Sequence, residues 1–157
     1  MDEDRSPGEH AWAALVGVLF SQRRHWLEAG QAEGLTPPQA MALMKVRADA
    51  PPSLGELARH IRCDASYATM LADRLEERGF VERRVSETDR RVKELVPTRD
   101  GLAAQRRLSE AFTAPPPGLE LLGEDDQETL LRIAVFLADH AETDLAASIG
   151  IDPQRRD

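Results

Sequence analysis

The sequence is poor in cysteine and in long apolar segments, and both shortages narrow the class of protein. Cys63 is the single cysteine among 157 residues, so no disulfide can form within one chain. The longest apolar run, residues 11–20, is about half of the ~20 residues that a membrane helix needs. The acidic first residues lack the basic start of a secretory signal. We therefore expect a cytoplasmic protein with no membrane partner.

Short motifs of the common enzyme and metal-protein classes are also missing. The sequence contains no glycine-rich phosphate loop, no nucleophile elbow and no convincing pair of catalytic carboxylates. Its four histidines are scattered, and His60 and Cys63 alone are too few ligands for a metal site. We expect no catalytic residues, no metal and no cofactor.

The chain has a net charge of −8, but the negative excess is unevenly distributed. Residues 53–101 contain ten basic and ten acidic residues, so the whole excess lies in the two flanking segments. Within residues 78–93, six basic residues stand against three acidic ones. Because acidic surfaces repel phosphates, a nucleic-acid partner would have to bind this central basic patch.

Two long amphipathic helices are predicted near the ends of the chain. Over residues 9–32 one helix face carries Trp12, Leu15, Leu19, Gln22 and Trp26. A helix from Gly123 to about Ala147 carries Leu130, Ile133, Leu137 and Ala141 on one side. The small centre of the chain cannot cover this apolar surface. We expect the end helices to pack on each other or on a second copy.

Capping signals predict three short helices between the long ones. Thr36 and two prolines begin a helix that ends near residues 48–52. A capping box at Ser53 begins the next helix, and a turn at residues 62–64 follows it. Asp64 caps a helix over residues 65–78, which we call the recognition helix.

A β-hairpin is predicted directly after the recognition helix, and we call this hairpin the wing. Residues 80–85 and 92–97 are its strands, and Thr98 caps a further helix that runs to about Thr113. The predicted fold is therefore mainly α with a small β-hairpin wing. It is a winged helix-turn-helix flanked by N- and C-terminal dimerisation helices.

The recognition helix has an apolar side and a polar side. The spacing predicts a buried stripe of Ala68, Leu71, Ala72 and Leu75. Hydroxyl-rich helix faces read base edges in the major groove. Five residues away from the stripe are therefore candidates for DNA contact: Ser66, Tyr67, Thr69, Met70 and Arg74. A hydroxyl-rich face is equally typical of a solvated helix, and this alternative stays open.

The loop between the wing strands carries Arg90 and Arg91. Arginine suits a narrow minor groove and the phosphate backbone, so both residues are candidates for DNA contact. Asp89 beside them would either brace an arginine or shape the turn. An ordinary charged hairpin tip is the alternative, but it does not account for the preceding helix-turn-helix.

In the recognition helix and the wing, the sequence resembles the MarR family of bacterial transcription regulators. The similarity is carried by Leu57-Ala58, by residues 66–69 and by residues 71–83. It continues through the pattern D-R-R-x-x-x-L-x-x-T-x-x-G over residues 89–101. Tyr67 and Met70 are bulkier or less polar than the family's usual residues. Pro97 replaces the usual leucine and is expected to shorten the second strand.

The resemblance implies a homodimer that binds double-stranded DNA and represses transcription. Residues 1–35 and 102–148 would form the dimerisation helices, residues 36–101 the DNA-binding domain and residues 149–157 a tail, of which residues 152–157 are expected to be disordered. Two recognition helices would then meet a pseudo-palindromic operator whose half-sites lie about one helical turn, ~34 Å, apart.

The resemblance also implies that a small aromatic or phenolic ligand releases the DNA. Its pocket would draw on Trp12, Arg23, Arg24, His25 and Met44, with Phe20, Trp26 and Met41 nearby. Packing in the dimer core is the alternative for the aromatic and methionine side chains. Two rival functions remain: redox control through Cys63, which precedes a helix N-terminus, and a protein-binding winged helix without DNA readout.

Overall fold

A chain of helices interrupted by one hairpin makes up the computed structural model, which describes residues 5–86 and 88–140. In chain order the elements are α1 (Pro7–Ala32), α2 (Pro37–Met44), α3 (Leu54–His60), α4 (Ala65–Glu77), β1 (Val81–Val85), β2 (Lys93–Pro97), α5 (Arg99–Thr113), a 3-10 turn (Leu119–Leu121) and α6 (Glu124–His140). The predicted fold class and element order are confirmed. Helix α4 is the recognition helix, and β1 and β2 form the wing.

Side-chain caps fix the starts of the central helices, as the sequence predicts. At α3 the Ser53 backbone N–H donates to Glu56 Oε2 over 2.8 Å, and the Glu56 N–H donates to Ser53 Oγ over 3.3 Å. At α4, Asp64 Oδ1 accepts from the Tyr67 N–H over 2.9 Å. Each such cap contributes about 1 kcal/mol, because it satisfies an otherwise unpaired helix N–H.

The end predicted for the second helix is wrong. Helix α2 stops at Met44 instead of near residues 48–52. Beyond it the N–H of Val46 donates to the carbonyl of Leu43, in the tighter i→i+3 pattern. The amide of Gln105 on α5 donates to the Leu43 and Val46 carbonyls over 2.7 and 2.6 Å. A distant side chain therefore satisfies the carbonyls that a longer helix would have bonded.

One apolar core joins α2, α3, α4, the wing and α5. Its largest fully buried side chains are Leu43, Leu57, Leu71, Leu75, Leu95, Leu108, Val46 and Val81. Helix α1 reaches this core only through its C-terminal half, where Trp26 and Ala29 pack against it. The core thus holds the recognition helix and the base of the wing in one body.

The wing strands pair antiparallel from Val81 opposite Pro97 to Val85 opposite Lys93. Pro97 does not shorten the second strand, which corrects that expectation. Proline lacks an N–H, but Pro97 is the last residue of β2, and the next N–H, that of Thr98, donates to the Phe80 carbonyl over 3.0 Å. At the other edge the Leu95 N–H donates to the Pro52 carbonyl over 2.8 Å, tying the wing to the start of α3.

The C-terminal region begins with a short non-helical segment after α5. The chain turns at Gly118, whose φ is +96°, into a short 3-10 turn. Helix α6 then begins at Glu124, one residue after the predicted start. Its predicted continuation to Ala147 and the tail at 149–157 lie outside the described residues.

Candidate nucleic-acid interface

The recognition helix presents most of its candidate side chains to solvent. Ala68, Leu71, Ala72 and Leu75 are buried, which confirms the predicted stripe. On the rest of the helix Ser66, Tyr67, Met70 and Arg74 are exposed and Thr69 is half-buried. A groove-binding helix needs an anchored inner stripe and a free outer face, and α4 has both.

Two of these candidates already have hydrogen-bond partners on their own helix. The Thr69 hydroxyl donates to the Ala65 carbonyl over 2.8 Å, so it offers a base its acceptor lone pairs and its methyl group. Arg74 Nη1 lies 2.7 Å from Glu77 Oε2. Both side chains of this ion pair are more than half exposed, so it is weak enough to open for a phosphate.

Arg83 joins the wing to the recognition helix. From β1 its Nη2 lies 2.5 Å from Asp73 Oδ1, and its Nη1 lies 2.5 Å from Glu76 Oε2. The hydrogen bond that Arg83 donates to Asp73 is the main reason that the pKa of the Arg83 guanidinium is raised above its ordinary value. The pairing neutralises two acids on the helix that would face DNA and fixes the angle of the wing. Sequence reasoning did not select Arg83 as a site residue.

The wing tip is shaped by Asp89 and exposes two arginines. Asp89 Oδ1 accepts from the backbone N–H of Arg91 over 2.9 Å, so its role is to shape the turn. Arg90 and Arg91 are exposed, and no carboxylate of the described residues lies within ion-pair distance of either guanidinium. Arg84 lower on the wing is paired with Glu82. Among the described residues, the wing arginines without a carboxylate partner therefore lie at its tip.

The base of the wing is locked to the start of α5. Thr98 Oγ1 accepts from the Gly101 N–H over 3.0 Å and donates to the Gly79 carbonyl over 2.6 Å. Gly101 is buried, and a Cβ there would overlap the carbonyl oxygen of Phe80. The T-x-x-G part of the sequence pattern thus has a packing cause, since only glycine lets the two backbones approach so closely.

The candidate ligand residues are not brought together within one chain. Trp12 and Arg23 lie eleven residues apart on α1, which corresponds to about 16 Å along a helix. Trp12, Arg23, Arg24 and His25 are exposed, whereas Met44 is half-buried and packs against the core, as Trp26 does. The single chain does not place Trp12 beside Arg23, Arg24 and His25, and the pocket stays a prediction.

Cys63 lies half-buried at the turn before α4. Its thiol donates to the Asp64 carbonyl, with the sulfur 3.2 Å from the oxygen. Across residues 5–86 and 88–140, no three histidine, cysteine or carboxylate side chains cluster as metal ligands would. No helix in the same ranges is long and apolar enough to cross a membrane.

A helix-turn-helix with an anchored wing and free arginines at its tip defines a winged helix-turn-helix protein. Residues 35–93, which contain the recognition helix and most of the wing, match the model of the MarR family. The chain is thus similar to this family of transcription regulators over its helix-turn-helix and most of its wing.

Similar proteins extend the match over most of the chain. The HTH-type transcriptional repressor MdtR of Bacillus subtilis is 29% identical over 138 residues, which are 83% of this chain and 85% of MdtR. The crystal structure of YusO from Bacillus subtilis has a TM-score of 0.70 at 24% identity, over 87% of this chain and all of YusO. The transcriptional repressor CouR, bound to a 23-mer DNA duplex, has a TM-score of 0.54 at 26% identity, over 85% of this chain and 92% of CouR.

Proposed function

We propose that this chain binds duplex DNA as a homodimer and represses transcription from a pseudo-palindromic operator. The observation that carries the proposal is the pairing of charges around α4. Arg83 neutralises Asp73 and Glu76 on the recognition helix, whereas no carboxylate of the described residues pairs with Arg90 or Arg91 at the wing tip. A protein-binding wing has no need of this arrangement. The names of MdtR and CouR as repressors support repression, and the DNA duplex bound to CouR supports the choice of partner.

Exposed apolar side chains on the end helices support dimerisation. On α1, Trp12, Leu19 and Phe20 are 58%, 63% and 68% exposed in the single chain. On α6 none of the described residues is buried, and the exposed apolar ones are Leu131, Ile133, Phe136 and Leu137. Monomers seldom expose apolar faces of this extent. A second copy covering them would make residues 1–35 and 102–148 the dimerisation region and residues 36–101 the DNA-binding domain.

Each candidate side chain of α4 receives a role in this proposal. Ser66 and Thr69 read base edges near the N-terminus of the helix, since a hydroxyl group can donate to or accept from the groups that a base presents in the major groove. Tyr67 and Met70 offer apolar contact to a thymine methyl group, and the Tyr67 hydroxyl can reach a phosphate. Arg74, Arg90 and Arg91 hold the backbone and fix the register without reading sequence.

Release of the DNA by a small aromatic or phenolic ligand is the remaining part of the proposal, and it rests on the resemblance to the family. Arg23, Arg24 and His25 are exposed on α1 and would hold an acidic or phenolic group. Trp12 lies about three helical turns before them on α1, so it would contact a different part of the ligand or a second ligand. Met44 would take part only if it left the core.

Selection from a random pool of DNA duplexes tests the proposed function. Repeated capture on the chain should enrich an inverted repeat with half-site centres about 34 Å, one helical turn, apart. Sedimentation should give twice the chain mass, and Phe20→Glu should shift it toward the monomer, whereas Val85→Glu on the wing should not. Enrichment of no sequence would contradict specific recognition, and a monomer in sedimentation would contradict the paired half-sites.

The enriched duplex then separates base readout from backbone contact. Ser66→Ala and Thr69→Ala should each weaken binding to the selected site more than binding to a mixed-sequence duplex. A good base contact contributes about 1–3 kcal/mol of discrimination, equivalent to about five-fold or more. Arg74→Ala is the comparison, because a phosphate contact should be lost equally on both duplexes. Equal losses for Ser66→Ala would show that this hydroxyl positions the protein instead of reading sequence.

A further inference from the structure

The turn between α3 and α4 contains an arginine in a backbone conformation that favours glycine. Arg62 has φ +53°, in the left-handed region. Elsewhere in residues 5–86 and 88–140, every residue with positive φ is a glycine, namely Gly34, Gly79 and Gly118. Residues that have a Cβ are less stable than glycine in the left-handed conformation, because the Cβ crowds the following carbonyl oxygen.

The local fold requires that conformation. Helix α3 ends in a Schellman motif, in which the Cys63 N–H donates to the Ala58 carbonyl over 3.0 Å and the Arg62 N–H to the Arg59 carbonyl over 3.2 Å. The residue at the position of Arg62 is usually glycine in this motif, because the chain must turn there with positive φ. Glycine would satisfy the turn, so the turn itself does not explain an arginine.

The side chain of Arg62 is accessible to a ligand. It is exposed, and it lies two residues before Asp64, the cap of the recognition helix. Among the described residues no carboxylate lies within ion-pair distance of its guanidinium. Its neighbours on the interface differ in this respect, since Arg74, Arg83 and Arg84 are each paired with a carboxylate.

We infer that Arg62 binds a phosphate of the DNA backbone at the edge of the major groove that receives α4. The inference rests on the proposed function and adds a contact outside the recognition-helix face and the wing. In a helix-turn-helix the N-terminal end of the second helix enters the groove while the first crosses the backbone, so the turn between them faces phosphates. An unpaired guanidinium suits a phosphate through two parallel hydrogen bonds.

The backbone conformation makes Arg62→Gly an unusually clean test variant. Glycine removes the charge and fits the left-handed turn, so the melting temperature should equal or exceed that of the wild type. Arg62→Lys keeps a charge at the same position. Arg106→Gln is the matched control, because Arg106 is an exposed arginine on α5, outside the helix-turn-helix and the wing.

The experiment measures binding of each variant to a mixed-sequence duplex of about 30 base pairs across a series of salt concentrations. Log affinity falls with log salt by about 0.9 for each phosphate neutralised, so Arg62→Gly should reduce the slope by about 0.9 for each protomer bound. Arg62→Lys should restore most of the slope, and Arg106→Gln should leave it unchanged.

The outcomes separate this inference from the proposed function. A wild type with a steep slope and an Arg62→Gly variant with a reduced one would support the phosphate contact. Equal slopes and affinities for Arg62→Gly and Arg106→Gln, beside a wild type that binds, would overturn the contact and leave the proposed function standing. A wild-type chain that binds no duplex at any salt would overturn the proposed function and the contact with it.

Discussion

Nη2 of Arg83 lies 2.5 Å from Oδ1 of Asp73, and this ion pair joins the wing to the recognition helix. The same guanidinium also holds Glu76, one helical turn further along α4. One side chain therefore masks two carboxylates on the helix proposed to enter DNA and sets the angle at which the wing leaves it. The proposed DNA contact by helix and wing together depends on this junction.

Arg83→Gln is expected to impair DNA binding more than stability. Loss of a partly exposed ion-pair network should lower the free energy of unfolding by roughly 1 kcal/mol, because water screens the two carboxylates. Duplex affinity should fall at least as far as in Arg90→Ala, since two unmasked acids would then repel phosphates. Urea unfolding and duplex titration measure the two effects. Restored affinity in Arg83→Gln combined with Asp73→Asn and Glu76→Gln would show that repulsion is the cause.

Gly101→Ala should destabilise the chain strongly. Its Cβ would overlap the Phe80 carbonyl, and both partners are backbone, so relief requires the wing base to move from α5. We expect a loss of about 1–3 kcal/mol in the free energy of unfolding, as for other overpacked sites. Gly55→Ala is the control, because a Cβ at this exposed position of α3 meets nothing within 4 Å. That variant should be neutral or slightly more stable, and equal losses in both would contradict the packing argument.

Glu33 at the end of α1 should make stability depend on pH. Arg107 holds its carboxylate through bonds of 2.6 and 2.8 Å, and these bonds are the main reason that the pKa of Glu33 is lowered from its ordinary value of 4.5. Because the pKa of this carboxyl is lower in the folded than in the unfolded state, its ionisation stabilises the fold at pH values above the ordinary pKa. This contribution is lost as the pH falls through the lowered pKa. The advantage of wild type over Glu33→Gln, roughly 1 kcal/mol near neutral pH, should therefore vanish in acid.

Chemical unfolding at a fixed protein concentration from pH ~7 to pH ~3 measures this dependence. Glu28→Gln is the control, since Glu28 is an exposed carboxylate on the same helix. Its difference from wild type should stay near zero at every pH. A Glu33→Gln difference that does not shrink in acid would mean that the ion pair with Arg107 adds no stability.

Local signals in the sequence predicted most of the fold correctly. The caps at Ser53, Asp64 and Thr98 act within three residues, so the starts of their helices are readable from sequence. The end of α2 is not, because Gln105 reaches its carbonyls from about 60 positions away. Local signals thus determine where helices begin, and tertiary contacts determine where this one ends.

The helix and hairpin that form the candidate nucleic-acid interface could be predicted from the sequence, whereas most of their side-chain contacts could not. The polar face of α4 and the wing-tip arginines follow from helical spacing and from a hairpin signal. The sequence also contains a signal for the ion pairs of Arg83, since Asp73 and Glu76 share a helix side and an arginine follows on the next strand. The sequence contains no signal for the positive φ of Arg62, because a turn residue with positive φ is recognised in a sequence only when it is glycine or asparagine.

Duplex binding across salt concentrations, for wild type and for the double variant Arg90→Ala/Arg91→Ala, tests the central claim most directly. The matched control is Arg106→Ala/Arg132→Ala, which removes two exposed arginines outside the helix-turn-helix, the wing and the proposed ligand site. Wild type and control should share one steep slope of log affinity against log salt. The wing variant should bind more weakly, with a slope flattened by up to two phosphate contacts, or ~1.8, for each protomer. An unchanged affinity and slope in the wing variant would contradict the account.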